Sequence, residues 1–263
     1  MGDDWAMLAE PFAKGAYATV KGKVRTFVVH EQLRRHLPPP PAAVLDVGGG
    51  AGHQSVPLAR VGYEVTILDP SPAMLDQARE RLAGEPAAVR HRVELVEAAG
   101  EDASAATGGR PYEAVLCHGV LMYLADPAPL VASLCACAAP GGVVSILALN
   151  ARTMAVRPAL ERRFADALAG FDAAVEQGVL GVSTRADTVE GLSGHLEHHG
   201  VVPEGWYGVW LFSDWLELAG VPVEDAELRA VAEVELEASR RDPYRQMSRL
   251  FHLLGRKEPD RKR

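Results

Sequence analysis

One nine-residue stretch limits the folds open to this chain: Val44-Leu45-Asp46-Val47-Gly48-Gly49-Gly50-Ala51-Gly52. Ala42 to Val47 is a short apolar run that reads as a buried strand, and glycines close it. Glycine lets the backbone turn where a side chain would be strained, and it brings main-chain N–H groups against a ligand that a Cβ would push away. His53 to Arg60 then reads as a helix, so the segment runs strand, glycine turn, helix. That unit opens a doubly wound α/β sheet, whose ligands lie in the crevice beyond the carboxyl ends of the strands. Seventeen residues past Gly52, closing a second strand-like run from Tyr63 to Leu68, stands Asp69. An acid at that place sits beside the crevice and can accept both hydroxyls of a ribose.

The alternation continues. Ser71 to Leu82 has the Ser-Pro start and amphipathic spacing of a helix, and Val93–Val96, Ala114–Cys117 and Val143–Leu149 read as strands three to five. Leu130 to Ala138 reads as a helix that Pro140-Gly141-Gly142 terminates. Such an order implies βαβ crossovers and a parallel sheet covered on both faces. Residues 1–41 read as a helical leader, with apolar spacing from Val24 to Leu37 and a proline run at 38–41 as its stop. Residues 42–150 are the expected cofactor-binding core and 151–200 a mostly helical cap insertion. In 201–263, strand-like runs at 205–212 and 248–256, with a helix near 224–240, are expected to complete the sheet, ahead of a frayed charged tail.

Composition narrows the function classes. The chain has 263 residues, 48% hydrophobic and 24% charged, enough for one large domain. No apolar run approaches the ~20 residues that span a bilayer. The start, MGDDWAMLAEPF, is acidic where a secretory signal is basic and then apolar. Three cysteines, with Cys135 and Cys137 close together, make neither a disulfide framework nor a zinc-ligand set. The expectation is a soluble cytoplasmic protein without a membrane partner or metal. A net charge of −8 disfavours indiscriminate phosphate binding, and the 22 Arg against 5 Lys fit a GC-rich genome. Two local groups, Lys14, Lys21, Lys23, Arg34 and Arg35, then Arg152, Arg157, Arg162 and Arg163, flank the expected pocket mouth. They read either as a basic rim for RNA or as solvated helix charge. His195, His198 and His199 in GHLEHHG read as a helix face, and no catalytic dyad stands out.

Two cofactor classes use a glycine loop followed by an acid. A dinucleotide site wants G-x-G-x-x-G, whereas here the loop runs G-G-G-A-G into His53. Asp46 stands two residues before the first Gly, and Glu101-Asp102 after the third strand offers acceptors near an adenine amino group. The constellation resembles the class I S-adenosylmethionine-dependent methyltransferases, whose first motif reads [V/L]-L-D-x-G-x-G-x-G. The resemblance implies an α/β, Rossmann-like, doubly wound seven-stranded sheet with S-adenosylmethionine as cofactor. It places Gly48, Gly49 and Gly50 against the methionine moiety, Asp69 on the ribose, and Gly100 and Glu101 beside the adenine. Asp46 would order the loop or accept from the methionine amine. His118, in CHGVLMYLADP (117–127), would touch the cofactor or the reacting group, with a satisfied strand-end histidine as the alternative.

A narrower resemblance spans nearly the whole chain. AEPFAKGAYATVKGKVR (9–25), DVGGGAGH, CHGVLMYLADP, LNA (149–151) and DPYRQMSRLFHLLGRK are similar to the bacterial tRNA 5-carboxymethoxyuridine methyltransferases. Those enzymes esterify a carboxylate on the wobble uridine. This kinship implies that Arg25 reaches the methionine carboxylate, a contact suited to a planar guanidinium. It puts Tyr17, Lys21, Asn150, Trp210, Asp214 and Tyr244 on the acceptor side. The chain departs from the family where a V-R-V-F-H-D-like run is expected, reading Val209-Trp210-Leu211-Phe212-Ser213-Asp214, and it carries Met122 where Glu is frequent. Trp210 is therefore either a stacking platform or core. Three readings stay open: a tRNA methyltransferase, a small-molecule O- or N-methyltransferase, and a non-catalytic cofactor-binding protein. The oligomeric state is not legible.

Overall fold

A computed structural model describes residues 19–177, 182–218, 220 and 224–259. Tyr17 and Lys14 lie outside the described residues. Helix α1 (Val20–Leu33) starts where the Thr19 hydroxyl accepts the Gly22 N–H at 3.1 Å. Val24, Val28 and Leu33 share its inner face and are fully buried. There follow β1 (Ala43–Val47), α2 (Ser55–Arg60), β2 (Glu64–Asp69), α3 (Pro72–Ala83), β3 (Val93–Glu97), β4 (Tyr112–His118), α4 (Ala128–Cys137) and β5 (Ala138–Leu149). Beyond β5 come α5 (Val156–Leu160), α6 (Phe164–Gly170), the antiparallel pair β6 (Val175–Gln177) and β7 (Ser183–Arg185), and α7 (Val189–His198). The chain closes with β8 (Val201–Val209), α8 (Phe212–Leu218), α9 (Leu228–Ala238) and β9 (Leu250–Lys257).

The main sheet has seven strands in the order β3-β2-β1-β4-β5-β9-β8. β1 to β5 run parallel, while β9 pairs antiparallel with β5 and β8 with β9. The winding direction reverses between β1 and β4, which opens a crevice beyond their carboxyl ends. Both sheet faces are covered. Val44, Ile67, Leu116 and Leu147 pack in the cluster that α1 joins, while Leu45, Val47, Val115 and Ile146 pack with Leu130, Val131 and Leu134 of α4. Burial on two sides is why these strands read as unbroken apolar runs rather than alternating ones.

Element borders differ from the sequence reading at several points. The leader helix ends at Leu33, and turns carry the chain to the prolines. β8 stops at Val209 because Trp210 takes a left-handed φ of 61°, which turns the chain out of the sheet before α8 begins. The segment 151–200 is only partly helical, since β6 and β7 interrupt it. Pro140-Gly141-Gly142 lies inside the irregular start of β5, with a register shift between Tyr112 and Ala114 opposite. Cys117, Cys135 and Cys137 are buried free thiols. Among the described residues no helix is long and apolar enough to cross a membrane.

Candidate active site

The glycine turn leaves β1 with φ of 68° at Gly48, 53° at Gly50 and 72° at Gly52. These angles are open to glycine and strained for other residues. Space makes the same demand. A Cβ at Gly48 would stand 2.3 Å from Val120 Cγ2, and one at Gly49 would stand 2.8 Å from the Asp46 carboxylate. The Gly48 N–H donates to Leu68 O at 2.7 Å, which ties the turn to the end of β2. The Gly50 N–H donates to Asp69 Oδ2 at 3.0 Å, and the Ser71 N–H donates to Oδ1 at 2.9 Å. Asp69 is thereby fixed at the carboxyl end of β2. Burial raises its pKa, while the two backbone N–H groups hold it down.

Asp46 stands behind the turn. Its side chain is buried, the Ser55 hydroxyl donates to Oδ2 at 2.6 Å, and burial pushes the carboxyl up to about 6. The geometry fits loop ordering, since this bond joins β1 to the first residue of α2.

In front of the turn lies a cavity of about 320 Å³, bordered by Gly48–Gly50, Asp69, Glu101 and His118. Gly100 shapes the wall by lacking a side chain, because a Cβ there would lie 2.5 Å from Leu130 Cδ1 and 2.8 Å from Val47 Cγ1. The Ser133 hydroxyl holds the Gly100 carbonyl at 2.7 Å. At the end of β4, the buried Arg25 of α1 donates from Nη2 to His118 O at 3.4 Å. His118 Nε2 lies 2.8 Å from Ser145 Oγ, and burial, with His252 and Arg25 close by, holds its imidazole neutral. Asp69 and Glu101 thus give the cavity two carboxylates, and the Arg25 guanidinium stands beside the His118–Gly119 part of its lining.

The other residues assigned to the acceptor form two groups. Lys21 of α1 pairs with Asp214 and, at 2.6 Å, with Glu217, both on α8. Its ammonium lies 4.6 Å from the Trp210 ring centroid, and Trp210 Nε1 donates to Lys21 O at 3.1 Å. Leader helix and C-terminal segment thus meet around Trp210. Tyr244 is half-exposed, with its ring 6.2 Å from that of Phe212. Asn150 is buried: Oδ1 accepts the Arg152 N–H at 3.1 Å, and Nδ2 donates to Gln246 O and Ser248 O at 3.3 and 3.0 Å. Both its amide hydrogens are used in joining two loops.

Several cations expected on a basic rim already have carboxylate partners. Arg152 pairs with Glu190 at 2.9 Å, Arg157 with Glu161 at 3.3 Å and Glu217 at 3.6 Å, and Arg163 with Glu161 at 2.8 Å. Arg34 pairs with Glu31 at 3.0 Å. Among the described residues no group of three or more His, Cys, Asp or Glu is placed to hold a metal ion.

A family model described as a methyltransferase domain matches residues 45–144, the stretch that holds the glycine turn, Asp69, Glu101 and His118. The chain is also 29% identical over 253 residues to the tRNA 5-carboxymethoxyuridine methyltransferase of Escherichia coli K12, covering 95% of this chain and 94% of that relative. The chain carries a methyltransferase domain and is an S-adenosylmethionine-dependent methyltransferase. A ubiquinone biosynthesis O-methyltransferase of Methylobacterium nodulans is 35% identical over 139 residues, or 53% of this methyltransferase and 50% of that relative. Among solved structures, the CcbJ methyltransferase of Streptomyces caelestis matches the fold at a TM-score of 0.59 and 16% identity, over 89% of each chain. The glycopeptide N-methyltransferase MtfA with bound S-adenosylmethionine matches at 0.55 and 15%, over 89% of this chain and 94% of that one.

S-adenosylmethionine, the cofactor of this methyltransferase, fits the residues present. The cradle at Gly48–Gly50 is one that a Cβ would fill, a buried carboxylate borders it, and a guanidinium stands beside the His118–Gly119 lining. Sequence reasoning missed residues that act from a distance. Arg185 on β7 donates to Leu124 O at 3.1 Å and Leu121 O at 3.4 Å while paired with Asp187, so β7 grips the loop after β4. Gln32, Ser145 and His252 form a buried chain behind His118. Each lies within an ordinary helix or strand pattern, so no local signal marks it.

Proposed function

We propose that this methyltransferase esterifies the carboxylate of 5-carboxymethoxyuridine at the wobble position of tRNA, in the cytoplasm. The observation that carries the reading is the extent of the similarity. It runs along 95% of the chain, past the cofactor domain and into the leader helix and C-terminal segment that supply Lys21, Trp210 and Asp214. The ubiquinone O-methyltransferase match covers 53% of the chain.

In this reading residues 1–41 lead into the site, 42–150 bind the cofactor, 151–200 cap it, and 201–263 complete the sheet. Gly48, Gly49 and Gly50 carry the methionine moiety, Asp69 holds the ribose hydroxyls, Gly100 and Glu101 flank the adenine, and Asp46 braces the turn. Arg25 takes the methionine carboxylate. Lys21, Trp210, Asp214 and Tyr244 face the acceptor, with Asn150 setting the loops beside them and Tyr17 added from outside the described residues. Bound S-adenosylmethionine supplies a sulfonium-activated methyl group. A carboxylate is already a nucleophile at neutral pH, so these residues have orientation rather than proton transfer as their task.

A second reading, a small-molecule O- or N-methyltransferase, is favoured by one observation: Lys21 and Arg157 are engaged by Asp214, Glu217 and Glu161 rather than free for phosphate. The deciding experiment incubates the purified protein with isotope-labelled S-adenosylmethionine and tRNA from a strain lacking its gene, then digests the tRNA for nucleoside mass spectrometry. A labelled methyl ester on the wobble uridine is the expected result. Unlabelled tRNA alongside demonstrable cofactor binding would move the assignment to a small molecule.

A further inference from the structure

A line of buried hydrogen bonds runs from the C-terminal ribbon to the cavity, and its donors and acceptors can be assigned from one end. The Gly208 carbonyl can only accept, so Gln32 turns its amide nitrogen there, at 3.2 Å. Gln32 Oε1, which can only accept, lies 2.7 Å from His252 Nδ1, so Nδ1 carries the hydrogen. Burial holds His252 neutral, with a pKa lowered to about 3, and its Nε2 is therefore a bare lone pair. Ser145 Oγ, 2.7 Å from that nitrogen, gives it its one hydrogen. Only lone pairs then remain on Ser145 Oγ for His118 Nε2 at 2.8 Å, so His118 Nε2 is the protonated nitrogen.

We propose that Gln32, Ser145 and His252 are positioning residues that lock His118 as its Nε2–H tautomer, leaving Nδ1 as a hydrogen-bond acceptor for the ammonium of the cofactor's methionyl tail. Three placements support that partner. His118 borders the cavity, the residue is partly exposed, and its Nε2 is the ring nitrogen committed to the relay. In the proposed reading Asp69 and Glu101, which border the same cavity, take the ribose and adenine, and this leaves His118 for the methionyl tail. Arg25 lies on the His118 carbonyl, and in the proposed reading it takes the carboxylate that shares a carbon with that ammonium. A bare imidazole nitrogen attracts a cationic donor, and the lock prevents the ring from turning a hydrogen towards it. The inference concerns the cofactor, so it goes beyond the proposed acceptor and holds for a tRNA or a small molecule alike.

Two measurements test it. Long-range proton–nitrogen NMR on the ligand-free wild type reads both tautomers directly. Opposite assignments are expected, with hydrogen on Nε2 of His118 and on Nδ1 of His252; hydrogen on Nδ1 of His118 would overturn the relay. The second measurement is calorimetric binding of S-adenosylhomocysteine and of an analogue with hydrogen in place of its amino group. His118→Ala is expected to weaken the first by about tenfold and Ser145→Ala by about fivefold, with the analogue changing by less than about twofold in each case. Equal losses for both ligands would reduce these residues to a packing role and overturn the assignment. The NMR result needs no variant, so a misfolded mutant does not leave the idea untested.

Discussion

Asp69 Oδ2 and the Gly50 amide nitrogen are 3.0 Å apart, and that bond sets the glycine turn of β1 against the end of β2. The other carboxylate oxygen takes the Ser71 N–H at 2.9 Å, so two loops converge on one side chain. Asp69→Asn can accept only one of these hydrogens, because its NH₂ confronts the other as a second donor. Bonds to charged groups contribute roughly 1.5–3 kcal/mol. Calorimetry with S-adenosylhomocysteine is expected to show binding weakened at least about tenfold in Asp69→Asn. An unchanged dissociation constant would separate Asp69 from the cofactor.

Gly48 and Gly50 share a left-handed φ but differ in what surrounds them. A methyl group at Gly48 meets the stiff, branched Val120 at 2.3 Å, whereas at Gly50 it meets the flexible end of Met74 at 2.6 Å. Each substitution carries a backbone cost of about 1–2 kcal/mol, and Gly48→Ala adds about 1–3 kcal/mol of overpacking. Thermal melts should therefore rank wild type above Gly50→Ala and Gly50→Ala above Gly48→Ala. The reverse order would place the steric limit elsewhere.

Lys21 neutralises Asp214, whose side chain is 5% exposed, and also engages the half-exposed Glu217. Lys21→Met leaves the buried carboxylate without its cation and is expected to cost about 2–3 kcal/mol in urea unfolding. Adding Asp214→Leu should return most of that loss, because the stranded charge is gone. If the double variant is less stable than Lys21→Met, the pair matters for packing rather than charge.

Asp46 gives the fold a pH signature. Burial raises its carboxyl from 3.8 to about 6, so the folded chain holds that proton more tightly than the unfolded chain does. Its contribution to stability is full below about pH 4 and is lost as the pH rises through about 6. Asp46→Asn keeps an oxygen for the Ser55 hydroxyl and does not ionise. Its stability relative to wild type should therefore increase between pH 4 and pH 8, by about 3 kcal/mol for the whole shift. Urea midpoints of both proteins at the two pH values read the difference. A gap that stays constant would mean Asp46 titrates normally.

Local chemistry determined the parts of this protein that the chain could announce by itself. Asp46, Gly48, Gly50 and Asp69 fall at strand ends, where the turn needs left-handed backbone, so their spacing alone marks the glycine turn and the crevice it borders. The apolar runs of β1, β2, β4 and β5 announced a sheet buried on two faces for the same reason. Tertiary structure decided everything that depends on which distant segments meet. The leader helix lies against α8 and the final strands, so Lys21 finds Asp214 and Gln32 finds His252, partners far apart in the chain. Trp210 leaves the sheet through a left-handed turn that its local pattern, which reads as continuing strand, does not encode. Whether Lys21, Arg152 or Arg157 is a free cation depends on the carboxylate that folding brings within reach. Hydrogen bonds and ion pairs between distant residues depend on ångström-scale positions, and a pattern of residue types carries no such distances.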